Sequence, residues 1–140
     1  MKITGSRKSS VFLAAAGSTG LAAFGIPLFL SPLGWARTLR WRVPADTDLT
    51  VYLGRSLGAV AVALGAGALR AARRPEEHPV MFDVAFMTGA LLAAVHVWGA
   101  LLRRQPWTET AEIGFWSAMA AGALLTYPRE EPGNSRLEAV

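Results

Sequence analysis

VMFDVAFMTGALLAAVHVWGALLRRQPWTETAEIGFWSAMAAGALLTY, residues 80–127, is two apolar runs joined by a short basic bend. The first run, Val84–Leu102, has no Lys, Arg, Asp or Glu, and its only ionisable side chain is His96. Arg103-Arg104-Gln105-Pro106 breaks it, and Glu109 and Glu112 lie at the entrance to the second run. A helix rises about 1.5 Å per residue, so roughly 20 residues cross a ~30 Å hydrocarbon layer. Within lipid the backbone must satisfy itself, which makes each run a helix and the pair a helical hairpin.

The same pattern recurs on the N-terminal side. Val11–Leu30 and Ser56–Leu69 are also free of the four charged residue types, while arginines crowd the gaps between apolar runs. Over 140 residues the chain is 52% hydrophobic and 17% charged, too apolar and too poor in charge for an ordinary soluble domain. Its basic residues flank the apolar runs and do not form a stripe, so nucleic acid is not an expected partner and the lipid bilayer is. No cysteine is present, which excludes disulfides, thiolate metal sites and cysteine nucleophiles.

The expected architecture is all-α: an integral membrane four-helix bundle forming a single domain over residues 1–127. Its spans cover about 11–30, 49–69, 80–102 and 108–127, and a polar C-terminal tail runs from 128 to 140. The N-terminus has the basic start of a signal peptide, but its apolar stretch exceeds a signal core, so a retained first span is expected. Ser31-Pro32 ends that span, Asp46-Thr47-Asp48 offers caps for the second, and Pro75 and Pro106 mark the next two bends. The second and fourth spans have short clean cores, so they must carry Arg55 and Glu112 below the membrane surface.

Lys2, Arg7, Lys8, Arg70, Arg73, Arg74, Arg129 and Arg136 fall on one side of this layout; Arg37, Arg40, Arg42, Arg103 and Arg104 fall on the other. Eight against five places both termini in the cytoplasm of a cell, with the bacterial inner membrane as the expected location. Between Pro32 and Pro44 a helical wheel gathers Trp35, Ala36, Leu39 and Val43 on one side, with Arg37, Thr38 and Trp41 pointing away. The segment is either an amphipathic helix lying in the headgroup region or an irregular loop with arginines on phosphates. Trp35, Trp41, Trp98 and Trp107, with Arg37, Arg40 and Arg42, form the expected interfacial anchors. A short echo, Leu39-Arg-Trp-Arg against Leu102-Arg-Arg-Gln, hints at two packed hairpins.

Antiparallel threading puts Arg55, His96 and Glu112 ~6–9 Å below one boundary, with Glu109 and Tyr52 slightly above them. Small residues flank each: Gly54 and Gly58 around Arg55, Gly89 and Gly99 near the His96 stripe, and Gly114, Ala118 and Gly122 on the fourth span. A charge at this depth costs roughly 2.5–3.5 kcal/mol, so Arg55 is expected to pair with Glu112 or Glu109, with His96 bonded to a carboxylate. Three readings stay open: a structural clamp between helices, snorkelling charges at helix ends, and a proton or ligand site.

No HExxH, P-loop, GxSxG or metal-ligand motif occurs, so neither catalysis nor a metal is expected. The first functional expectation is a non-catalytic accessory or assembly subunit of a larger membrane complex, with a membrane protein partner or a second copy. The alternative is a carrier or proton-linked binder of a small lipophilic molecule at the Arg/His/Glu layer. No cofactor is expected; haem or pigment ligation by His96 is the weakest reading, because His78 lies about 27 Å away along the helix. The four short spans, the long first loop, Tyr52-Leu-Gly-Arg-Ser-Leu-Gly and His96-Val-Trp-Gly resemble DoxX-like small bacterial membrane proteins. That resemblance covers layout and implies a four-span fold; it transfers no site residue.

Overall fold

The computed structural model describes residues 3–4 and 7–130 of the chain. They form four long helices: a first over Arg7–Leu30, a second over Asp48–Ala71, a third over Val80–Leu101 and a fourth over Trp107–Leu125. A short loop helix, Pro32–Thr38, follows the first, and a 3-10 turn, Pro75–Glu77, precedes the third. The first three are long and apolar enough to cross a membrane. The fourth is shorter, 19 residues, and carries Glu109 and Glu112 near its start. Large apolar side chains face outward on all of them, among them Leu57 at 59%, Trp98 at 65% and Leu125 at 77% exposure. So broad an apolar exterior suits contact with lipid tails rather than water.

The helices pair as two hairpins. Small residues close the first one. A Cβ on Gly17 would stand 2.7 Å from the Gly65 carbonyl oxygen, and one on Gly25 would stand 2.9 Å from the Val62 nitrogen. Gly54 and Gly58 close on the segment around Leu28, Phe29 and Pro32. In the second hairpin Gly89 lies against the backbone of Trp116 and Ala120. The expected small-residue stripe on the fourth helix is an interface only at one end: Gly122 packs against the Phe12 ring, while Gly114 faces open space and Ala118 is exposed. The two hairpins touch at both ends: at one, Leu13, Ala71 and Phe82 form a buried cluster with Phe12 stacked on Phe82 at 5.9 Å, and at the other Trp41 and Leu39 meet Glu109 and Thr108.

The first helix is not uniform. Gly20–Gly25 is a π-helical turn, with the Ile26 N–H donating to the Leu21 oxygen. Pro27 accounts for it: a proline offers no N–H to the carbonyl four residues back and crowds it. That carbonyl belongs to Ala23, and it receives instead the indole N–H of Trp35, at 2.8 Å from the loop helix.

The amphipathic reading of residues 32–44 holds only to Thr38. Arg40 takes φ 66°, and the Trp41 N–H donates to the Ala36 oxygen while the Arg40 N–H donates to the Arg37 oxygen. This is a left-handed helix stop of Schellman type with arginine where glycine is usual. The third helix ends identically: Arg103 has φ 52°, and Arg104 and Arg103 donate to Gly99 and Ala100. The echo between Leu39-Arg40 and Leu102-Arg103 is therefore the same turn built twice.

Ile3–Thr4 pairs antiparallel with Arg129–Glu130, so the tail expected from 128 onward begins as a strand partner. Residues 131–140, the remainder of that tail, lie outside the described residues, as do Lys2 and Arg136 of the basic count. Asp83, near the start of the third helix, accepts from Tyr127 Oη at 3.4 Å, and Arg74 pairs with Glu77 at 3.1 Å.

Candidate functional site

Between the hairpins lies a cavity of about 390 Å³ lined from all four long helices. Leu13, Ala68 and Met81 line one part of it, Leu64 and Ala85 continue the wall, and the polar groups it reaches are chiefly His96, Glu109 and Glu112. Phe24, Phe115, Trp116 and Trp35 crowd this part with ring centroids 4.8–6.1 Å apart, within the range of favourable aromatic pairs. The π turn presents Phe24 here, so the irregularity of the first helix shapes the cavity wall.

Helix geometry assembles the polar group. Glu109 and Glu112 are three residues apart and share a face of the fourth helix. The Arg103 turn folds that face back onto His96 near the end of the third helix. His96 Nε2 lies 3.0 Å from Glu109 Oε2 and 3.5 Å from Glu112 Oε2. All three side chains are largely buried, at 9%, 10% and 17% exposure respectively. Surrounding groups fix each of them. His96 Nδ1 meets the Leu92 oxygen at 2.7 Å. Trp41 Nε1 donates to Glu109 Oε1 at 2.7 Å, and Trp116 Nε1 donates to Glu112 Oε2 at 3.1 Å. Gln105 ties the bend by donating to the His96 carbonyl at 2.9 Å, and Thr108 Oγ1 donates to the Leu39 carbonyl at 2.6 Å.

The tautomer follows from these partners. A carbonyl oxygen only accepts, so Nδ1 of His96 carries a hydrogen. Nε2 then faces a carboxylate oxygen 3.0 Å away, and that contact is a hydrogen bond only if one proton sits between them.

Arg55 is not part of it. The residue reaches the expected depth but faces outward, in a shallow groove with Phe29, Asp48 and Tyr52, and among the described residues it forms no ion pair. Tyr52 is 68% exposed in the same groove. The expected Arg55–Glu112 pair is replaced by His96 with two carboxylates. The reason is angular: Gly54 and Gly58 turn their face to the first helix, which leaves Arg55 on the flank. The anchor set also divides. Trp98 and Trp107 are exposed, with the Arg40 guanidinium 5.5 Å above the Trp107 ring, and Arg37 and Arg42 are exposed too. Trp35 and Trp41 turn inward to line the cavity. The absence of a metal-ligand motif in sequence likewise misses that His96, Glu109 and Glu112 place one donor atom each within 4.8 Å of one another. The nearest thing to an advance signal is Glu-x-x-Glu starting a helix six residues after the histidine's own helix has ended.

No family model, curated protein or solved structure matches the chain.

Proposed function

We propose that this chain is a four-span protein of the bacterial inner membrane that binds a small lipophilic molecule between its two hairpins, with the molecule's polar head at His96, Glu109 and Glu112. The observation that carries this reading is the apolar cavity reaching a buried hydrogen-bonding cluster. Leu57 and Val60 line the cavity and are also exposed, so it opens to the side of the bundle, where a lipophilic molecule can enter from the bilayer. The pairing of Ile3–Thr4 with Arg129–Glu130 supports an even number of crossings, hence a fourth span over Trp107–Leu125. The layout is the one that DoxX-like proteins share, and the basic-residue count favours cytoplasmic ends.

The accessory-subunit reading ranks second. Its support is the outward apolar surface, which lipid alone would also cover. Gently solubilised protein examined by native mass spectrometry separates the two. One lipophilic molecule per chain is expected in the wild type, lost in Ala85→Phe and Ala61→Phe, which fill the cavity wall. A chain that arrives empty, or variants that keep the molecule, would overturn the binding reading; a stoichiometric protein partner on an empty chain would establish the accessory one.

A further inference from the structure

The cluster at the polar part of the cavity has more negative charge than its neighbours balance. Two carboxylates meet one imidazole, and among the described residues no Lys or Arg stands within ion-pairing distance of either Glu109 or Glu112. Buried charge of this kind needs a counter-charge. Protons can supply it, and so can a divalent cation.

The arrangement suits the cation closely. Ligand bonds of about 2.0–2.2 Å, at tetrahedral or octahedral angles, set neighbouring donor atoms about 3–3.5 Å apart. His96 Nε2 stands 3.0 Å from Glu109 Oε2 and 3.5 Å from Glu112 Oε2, and the three donor atoms all fall within 4.8 Å of one another. Metal-binding histidines characteristically donate their second ring N–H to a carbonyl or carboxylate, which fixes the ring and the tautomer. His96 does so to the Leu92 oxygen. Ligating carboxylates are in turn held by hydrogen bonds: Trp41 holds Glu109 at its other oxygen, and Trp116 donates to Glu112 Oε2 itself.

We infer that His96, Glu109 and Glu112 form a three-ligand site for a divalent transition-metal ion. One nitrogen and two carboxylate oxygens suit Zn²⁺, Mn²⁺ or Fe²⁺, and the absence of any cysteine argues against soft ions such as Cu⁺. Three protein ligands leave at least one coordination position open, and all three residues line the cavity. There an oxygen donor on the head of the lipophilic molecule completes the shell. This last step rests on the cavity-binding reading; metal uptake itself does not.

The test therefore uses metal alone. Full-length protein in detergent, its affinity tag removed, is stripped with a chelator, loaded with Zn²⁺ or Mn²⁺, desalted and assayed for bound ion by elemental mass spectrometry. One ion per chain is expected. Glu109→Gln with Glu112→Gln, near-isosteric replacements, should weaken binding at least about 100-fold, and Trp41→Phe about 10-fold through the hydrogen bond it removes. If the double variant does not fold, the Mn²⁺-loaded wild type still decides: pulsed electron paramagnetic resonance should show one directly bound imidazole nitrogen. No retained ion, an ion without such a nitrogen, or an ion lost in His78→Ala and kept in the Glu variants would overturn the site. An empty cavity with a bound ion would sink the binding reading and leave the metal site standing.

Discussion

Replacing Gly89 by alanine probes the contact on which the polar cluster depends. A Cβ there would stand 2.8 Å from the Trp116 oxygen and 2.8 Å from the Ala120 nitrogen, with the Ala120 Cα at 3.2 Å. Ordinary contact begins near 3.4 Å, so the third and fourth helices must separate or tilt by about 0.6 Å. All three atoms are backbone, and none can rotate away. Overpacking of this kind costs about 1–3 kcal/mol. Gly114→Ala is the matched control on the same hairpin, because nothing lies within 4 Å of its added methyl. It should gain up to about 1 kcal/mol from helix propensity. The propensity gain is common to both variants, so reversible unfolding in mixed micelles should place them about 1–3 kcal/mol apart. Gly89 and His96 are seven residues apart on one face, about 10 Å along the axis. Separation at Gly89 should thus also loosen the His96–Glu109 contact and lower the yield of bound ion. Equal stability of the two variants would refute the close-packed hairpin and with it the geometry assigned to the cluster.

Arg55→Met should change stability by no more than about 0.5 kcal/mol, and a double-mutant cycle with Glu112→Gln should show no coupling beyond that; a coupling near 2 kcal/mol would return Arg55 to the cluster. For topology, cysteines introduced singly at Thr38 and Gln105 should react with an impermeant reagent applied to intact cells, while one at Glu76 should react only after lysis. The reverse pattern would invert the orientation.

Spacing along each helix was readable from the sequence and facing was not. Counting residues from the helix ends places Arg55, His96, Glu109 and Glu112 in one layer, because the rise per residue is fixed. Which of them meet depends on rotation about each helix axis, and that is set by which face finds a partner. For the third helix the Gly89 stripe gives the right answer, since it carries His96 inward with it. For the second, glycines at 54 and 58 straddle Arg55 in sequence yet sit on a different face in space. For the fourth, the small residues at 114 and 118 have no neighbour at all, and the acidic face packs instead. Trp41 was lost for a separate reason. Its inward turn needs a left-handed residue at Arg40, a position that glycine or asparagine would have announced and arginine conceals.

The bond from Trp35 to Ala23 sets a sequence of events during synthesis. When the first apolar segment leaves the ribosome and enters the bilayer, Pro27 leaves the Ala23 carbonyl without its usual donor. The donor lies twelve residues later, on a loop still held in the ribosome at that point. Until the loop emerges, that carbonyl lacks the partner it has in the folded chain. The first hairpin is thus finished late: docking of the Trp35 loop is the act that seals the segment already in the membrane. A Trp35→Phe chain should insert on time and stay open to that late step, with its N-terminal helix exchanging amide hydrogens long after the rest has become protected.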